Sequence, residues 1–414
     1  MIRSIKELTL ENLCLDNLSN ELSHLTEIEL LSLISDYKSD KTVKEILQLY
    51  SINTIPSKFK KLLPLIYADF CSHCGGKVVF ELQSKTYSYG LLEEQTAQCV
   101  QCSHKPNGYS CQCDACVRAE NEKRILAEAQ KKRVLLSKRE AITKEYNPDR
   151  YKKIEESELG ATEKIFLSVI VRNCLSEDGK YIAPIKNSLL PLTPSNELTT
   201  KLIRHLTSRS ILIPSIDSEV DTFVFDEDQI PNSYYTYEVK YRLNIDHDDK
   251  YSFLIERLLH PEIEICESIE ELLKIWQDLA LYEVLSYFTY QMNDVGYSPV
   301  IGEITTATFN KLLEVFSVGQ IYNIIFRAVA NSTRAYQSGD YTKKHAMNMV
   351  VASCRNQGEK AVAEEWDLKP YNRIKQLPES ELSRLIFTGI LKKSNQGFYS
   401  APTLSNLESM LEVE

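Results

Sequence analysis

Glycine is scarce, with 13 in 414 residues, and no GxGxxG or GxxxxGK loop occurs among them. No nucleotide-phosphate cradle of a known kind is therefore available. The chain also lacks an HExxH pair, a spaced Asp/Glu set suited to two-metal chemistry, and a Ser or Cys nucleophile beside an obvious base. Enzymes need convergent groups of matched pKa in a cleft, so no reaction and no catalytic residue is indicated. Long apolar runs are missing as well, and Met1-Ile2-Arg3-Ser4-Ile5-Lys6-Glu7 carries no apolar signal core. The expectation is a protein of the reducing cytoplasm, with no membrane association and with its thiols unoxidised. At 43% hydrophobic and 26% charged, the composition is that of an ordinary soluble protein.

What the chain does have is cysteine, and in one place. Seven of eleven cysteines fall between Cys71 and Cys116. They read Cys71-x2-Cys74, Cys99-x2-Cys102 and Cys111-x-Cys113-x2-Cys116, with His104 behind the second pair. A two-residue spacer lets two thiolates of one turn reach a single ion, and Gly75-Gly76 suits such a turn. Seven cysteines and one histidine make eight ligands, enough for two closed zinc sites with no open position for water. A closed site is structural. The preferred pairing is Cys71, Cys74, Cys99 and Cys102 on one Zn2+ and His104, Cys111, Cys113 and Cys116 on the other, two ions per chain. Interleaved pairings stay open, as does His73 in place of His104.

Charge is divided unevenly. Residues 1–150 hold 21 Lys+Arg against 20 Asp+Glu, whereas the remaining 264 residues hold 27 against 38. Any DNA contact should lie in the N-terminal third, and the acidic remainder suits a protein partner. Oligomerisation is left open.

The fold class expected is mainly α, in five segments. Residues 1–68 read as helices: a leucine-rich start over 1–25, a capping box at Thr26-x-x-Glu29, a second helix from Lys41, and a third from Pro56 with Phe59, Leu62 and Leu63 inward. Three short helices with a tight turn before the last make a helix-turn-helix. Its outward Ser57, Lys58, Lys60 and Lys61 are the candidate nucleic-acid contacts. Residues 69–117 form the zinc-ribbon-like cysteine module, with a strand over Lys77–Leu82. Residues 118–150 are a linker built on one long exposed helix, first a spacer and secondly, through Lys131-Lys132-Arg133, a phosphate-tracking element. Residues 151–230 read as a winged helix, with helices from Ala161 and Ser195 and a hairpin of Ile211–Ile213 with Thr222–Phe225. Its acidic wing repels phosphate, which limits groove contact to Thr199, Thr200, Arg204 and Ser208.

Residues 231–414 read as a mainly helical domain. There Arg327, Arg334, Lys343, Lys344, His345 and Arg355 recur on polar faces of two successive helices and form a candidate anionic-ligand site. A solvated face is the plainer reading of the same stripe.

This order of segments resembles a broad group of little-characterised bacterial proteins associated with mobile elements and genomic islands. The words that carry the resemblance are Phe316-Ser317-Val318-Gly319-Gln320-Ile321-Tyr322, Lys343-Lys344-His345-Ala346 and Glu365-Trp366-Asp367-Leu368-Lys369-Pro370-Tyr371. The resemblance implies a zinc-bearing cytoplasmic protein and supplies no activity.

Two function classes follow. The first is a zinc-containing DNA-binding regulator or adaptor, tied to a mobile element or a phage-defence locus. The alternative is a nucleic-acid-processing enzyme or defence effector with its site in the C-terminal helical domain, for which Glu283, His345 and Glu365 are the candidates worth replacing.

Overall fold

The computed structural model describes residues 8–16, 18–85, 96–106, 111–264 and 268–412. Residues 1–7, the start of the leucine-rich segment, and Cys266 lie outside them. The chain is mainly helical and divides into two units, Met1–Val134 and Leu135–Glu414.

In the first unit two helices start on the same chemistry. Thr26 caps α1 (Glu27–Lys38) and Thr42 caps α2 (Val43–Leu49). Each threonine accepts from the amide three residues on, while Glu29 or Glu45 accepts from the cap's own N–H. These bonds satisfy the orphan amides reciprocally. They also hold both glutamate carboxyls below the usual range, the backbone bond contributing most. The Thr26 box was expected; the Thr42 box follows the same pattern and was not read from the sequence. Leu30, Leu33, Ile34 and Ile46 then close a core with Leu22, Phe59 and Ile66, each of these seven no more than 1% exposed.

The third helix is a correction. Only Phe59–Leu62 coil, as a 3-10 turn, and Leu63 is already extended. Pro64 explains this, because a residue before proline is driven out of the helical region. Phe59 and Leu63 face inward as expected, yet the third helix of a helix-turn-helix is absent from the described residues. The leucine-rich start is corrected too. Leu10–Asn12 and Asn20–Leu22 are 3-10 turns, and between them β1 (Leu13–Cys14) pairs Leu13 with Ile66 of β2 (Leu65–Phe70). Sheet pairing overrides local helical preference here. An antiparallel sheet follows in the order β1, β2, β3 (Lys77–Phe80), β4 (Gln98–Cys99).

Helix α3 (Asp114–Glu145) is the long helix expected from 118, started four residues earlier, and it runs across the boundary between the units. Of its 32 residues only Ile142 is buried.

In the second unit one apolar core extends from Ile142 to Met410. It is built on α4 (Ala161–Cys174), α5 (Asn196–Ser208), α6 (Tyr251–Leu259), α7 (Ile269–Asp294), α8 (Glu303–Leu313), α9 (Val318–Gln337) and α10 (Lys343–Ala363). Trp276, Leu279, Val284 and Phe288 of α7 are buried, as the periodicity predicts. The winged-helix reading fails at its hairpin. Strand β5 (Ile154–Glu155) pairs in parallel with Ile245–Asp246, β6 (Leu212–Pro214) pairs with β9 (Tyr241–Leu243), and β7 (Phe223–Phe225) pairs with β8 (Pro231–Tyr234), so the two expected wing strands do not pair with each other. Thr199 is also buried against Thr193, out of reach of a groove.

Two of the distinctive sequence words meet in this unit. Tyr371 N–H donates to Gly319 O, Gln320 to Leu368 O and Asn323 to Lys369 O. A Cβ on Gly319 would stand 2.8 Å from Tyr371 O, so glycine is required for this approach. Those words therefore hold a loop against the start of α9.

Beneath that loop, Arg373 donates to buried Glu283 of α7 at 2.7 Å. Burial raises the Glu283 carboxyl to about 7 against the pull of Arg373, with Glu379 adding to the rise. The folded chain thus holds this proton more tightly than the unfolded one, so the group's contribution to stability falls as pH rises from the ordinary carboxylate range through about 7. Replacing Arg373 with methionine should cost about 3 kcal/mol at pH 8, where a buried carboxylate is orphaned, and clearly less at pH 5, where it takes up a proton. Urea unfolding followed by tryptophan fluorescence checks this, since both tryptophans lie in the second unit. Equal costs at the two pH values would count against the buried charge.

Candidate metal centre

Two turns of the same construction present the first four cysteines. At the end of β2, Cys71 N–H donates to Gly76 O and Gly75 N–H to Cys71 O. At the end of β4, Cys99 N–H donates to His104 O and Ser103 N–H to Cys99 O. The fifth residue of each turn is left-handed: Gly75 at φ +71° and Ser103 at φ +57°. Backbone amides point at sulfur within them, His73 N–H to Cys71 and Gly76 N–H to Cys74, each at 3.4 Å. The sheet register brings the turns together, because Val78 of β3 pairs with Cys99.

The result is a set of four thiols, Cys71, Cys74, Cys99 and Cys102, whose sulfurs all lie within 4.8 Å of one another. The Cys71–Cys102 and Cys74–Cys99 separations are both 3.5 Å. A disulfide needs about 2.05 Å, whereas an edge of a tetrahedron with ~2.3 Å metal–sulfur bonds is about 3.8 Å.

The second set, His104, Cys111, Cys113 and Cys116, obeys the same 4.8 Å limit. Its Nδ1 of His104 lies 3.4 Å from Cys111, 3.6 Å from Cys113 and 3.3 Å from Cys116. His104 is buried, Cys113 just precedes α3, and Cys116 sits in that helix's first turn. A helix start favours anionic sulfur. The grouping these distances give is the one preferred from the sequence, and all eight side chains stand where they could serve as ligands. His73 is not a member of either set; its Nε2 touches Cys116 alone of the second set's sulfurs, at 3.4 Å, and its ring stands edge-on to His104 at 4.2 Å.

The thiols differ in how readily they ionise. Backbone N–H groups of Lys105 and Cys113 bring Cys111 down to about 6. Burial opposes ionisation of Cys99, but amides of Cys102 and Gln101 still bring it to about 7. Burial and the neighbouring sulfurs push Cys116 up to about 11, and Cys102 rises to about 12 against a lowering amide bond from His104. Cys99 and Cys111, one in each set, thus ionise near neutral pH, whereas Cys102 and Cys116 need a cation beside them. Either set can hold a metal ion that keeps four protein ligands.

The remaining candidates are dispersed. Ser57, Lys58 and Lys61 are exposed, and Lys60 faces Glu81 at 3.8 Å. Arg327 stacks over Trp366 at 5.1 Å, His345 stacks on Tyr341 at 4.6 Å, and Arg355 borders an apolar groove of about 640 Å³ with Leu312 and Phe316. Arg334, Lys343 and Lys344 are exposed near the connection between α9 and α10. Glu283 lines a cavity of about 120 Å³ with Tyr322 and Arg373, and neither His345 nor Glu365 borders it. Arg373 escaped the sequence reading because it stands 90 residues from its partner.

The chain matches no protein-family model, no curated protein and no solved structure.

Loading must expel thiol protons, so affinity should fall by more than about tenfold per pH unit on acidification. Metal released to a chromogenic chelator between pH 7 and pH 5 measures this, and retention independent of pH would exclude thiolate ligands.

Proposed function

We propose that the chain is a zinc-stapled nucleic-acid-binding adaptor that assembles or regulates rather than catalyses. The observation that carries this reading is the pair of four-ligand sets with all donor atoms within 4.8 Å. Thiolate and imidazole favour zinc over hard cations, and four protein ligands leave no position for substrate. The ions substitute for a core, since the buried apolar residues there are Val78, Phe80 and Ala97 with two cysteines.

For nucleic acid, support comes from exposed cations of the first unit. Lys131, Lys132 and Arg133 stand in solvent along α3, and Ser57, Lys58 and Lys61 in solvent on the turn before β2. Since the expected third helix is only a 3-10 turn over Phe59–Leu62, these groups suit phosphate contact rather than base reading. The acid surplus of the remainder suits a protein partner. The resemblance to proteins of mobile elements suggests a defence or genomic-island locus as the setting.

One feature favours the enzymatic alternative, the Glu283 carboxyl at about 7 beside its cavity. A carboxyl so placed is a candidate proton donor or acceptor.

Purified protein should carry two zinc ions per chain. A single ion would overturn the two-site arrangement, and none would overturn the staple. Binding of the full chain to duplex DNA across a salt series, with and without a chelator, tests the rest. Replacing Lys131, Lys132 and Arg133 together with alanine should weaken binding and flatten the slope of log affinity on log salt by about 2 to 3. Unchanged slope and affinity would remove α3 from the contact.

A further inference from the structure

The two metal sets are not built alike. All four ligands of the first come from turns anchored at the ends of β2 and β4, each closed by two backbone hydrogen bonds. Three ligands of the second, Cys111, Cys113 and Cys116, come from the approach to α3 and its first turn. The fourth, His104, closes the second turn of the first set, because its carbonyl accepts from Cys99 N–H. Its backbone therefore belongs to one site and its imidazole to the other.

His73 makes a second link. It lies between Cys71 and Cys74 on the other turn, and its Nε2 reaches Cys116 Sγ at 3.4 Å. The second set is complete without it, since His104 and three cysteines already lie mutually within 4.8 Å. A metal-bound thiolate is an acceptor with lone pairs to fill, and an imidazole N–H at this distance fills one. Such outer partners orient the ligand and typically tune affinity by 10 to 100-fold.

We propose that the two sites load as one interlocked centre in a fixed order, Cys71, Cys74, Cys99 and Cys102 first, with His73 the positioning residue through which the first site's turn holds the second. This rests on the zinc reading above. Before the first ion binds, neither turn is locked, so His104 and His73 are not fixed for the second. Once it binds, both imidazoles are held where Cys116 meets them. By linkage each ion stabilises the other equally once both are bound, so the direction of the order comes from the first set, whose four ligands all stand on strand-anchored turns and fill at the lower metal concentration.

Titration of the full-length chain with cobalt(II) tests the proposal, because an all-sulfur site and a three-sulfur, one-nitrogen site differ in their absorption bands. Wild-type protein should fill the all-sulfur bands first. Cys116→Ser should lose the second ion and keep the first unchanged, whereas Cys74→Ser should lose the first and bind the second at least tenfold more weakly. His73 is exposed, so His73→Ala should fold, keep the first ion and weaken the second about tenfold without changing its band pattern. His73→Gln, which retains an N–H donor, should recover part of that loss. Independent filling, or a second site untouched by both Cys74→Ser and His73→Ala, overturns the coupling while leaving two metal sites standing. A changed band pattern in His73→Ala would make His73 a ligand and overturn its positioning role. No uptake by wild-type protein would remove the metal reading itself.

Discussion

Sulfur atoms at 3.5 Å cannot all carry negative charge unless a cation lies among them. That constraint governs the first unit from residue 65 to residue 116. Thiolate repulsion in a partly desolvated pocket drives Cys102 and Cys116 to hold their protons, as their elevated values express. The chain answers with amides aimed at sulfur, which bring Cys99 in one set and Cys111 in the other down toward neutral pH. The strands beside the turns are short, four residues in β3 and two in β4, and their local core is small. A metal ion held by these turns would therefore support the short strands and be supported by them in turn.

The second unit rests on the opposite solution. Its core is continuous and apolar, and the carboxylates buried among the described residues are paired inside it. Glu163 of α4 is one case, receiving His205 at 2.7 Å together with Arg209. Glu283 with Arg373 is a second, and Glu381 with Arg384 and Arg172 a third. Glu163 and Glu283 bind cations contributed by distant segments, so each of these two pairs fixes the register of a connection against a helix rather than adding much net stability. The loop words at Gly319 and Tyr371 do the same by hydrogen bonds.

Local chemistry was legible and tertiary partnership was not. The cysteine spacing picked out the eight side chains that the structure gathers into two groups able to hold a metal ion, because such a group is written in residue type and interval. The capping boxes and the apolar periodicity located α1, α4, α5, α7 and α9 for the same reason. The third N-terminal helix was misread because apolar residues at Phe59, Leu62 and Leu63 fit a helix as well as they fit a short turn entering a strand. Pro64 was the discriminating signal. The wing was misread because strand partners are chosen across distance: β6 finds β9 some thirty residues on. Nothing local marks that choice. His73 was weighed as a replacement ligand, whereas its contact with Cys116 is a matter of two turns meeting.

Ser103 stands where its counterpart turn has Gly75, both left-handed. A residue with a Cβ meets a penalty of roughly 1 kcal/mol or more in that region, and glycine meets none. The turn at Cys71 can therefore close without resistance, while the turn at Cys99 stays closed only as long as its sulfurs and the His104 carbonyl keep their partners. A symmetric cage of four sulfurs thus has an asymmetric hinge. When the centre gives way, whether to a chelator, an oxidant or heat, it should unlatch from the Cys99–Cys102 side, and the Cys71–Cys74 turn should be the last part to forget its shape.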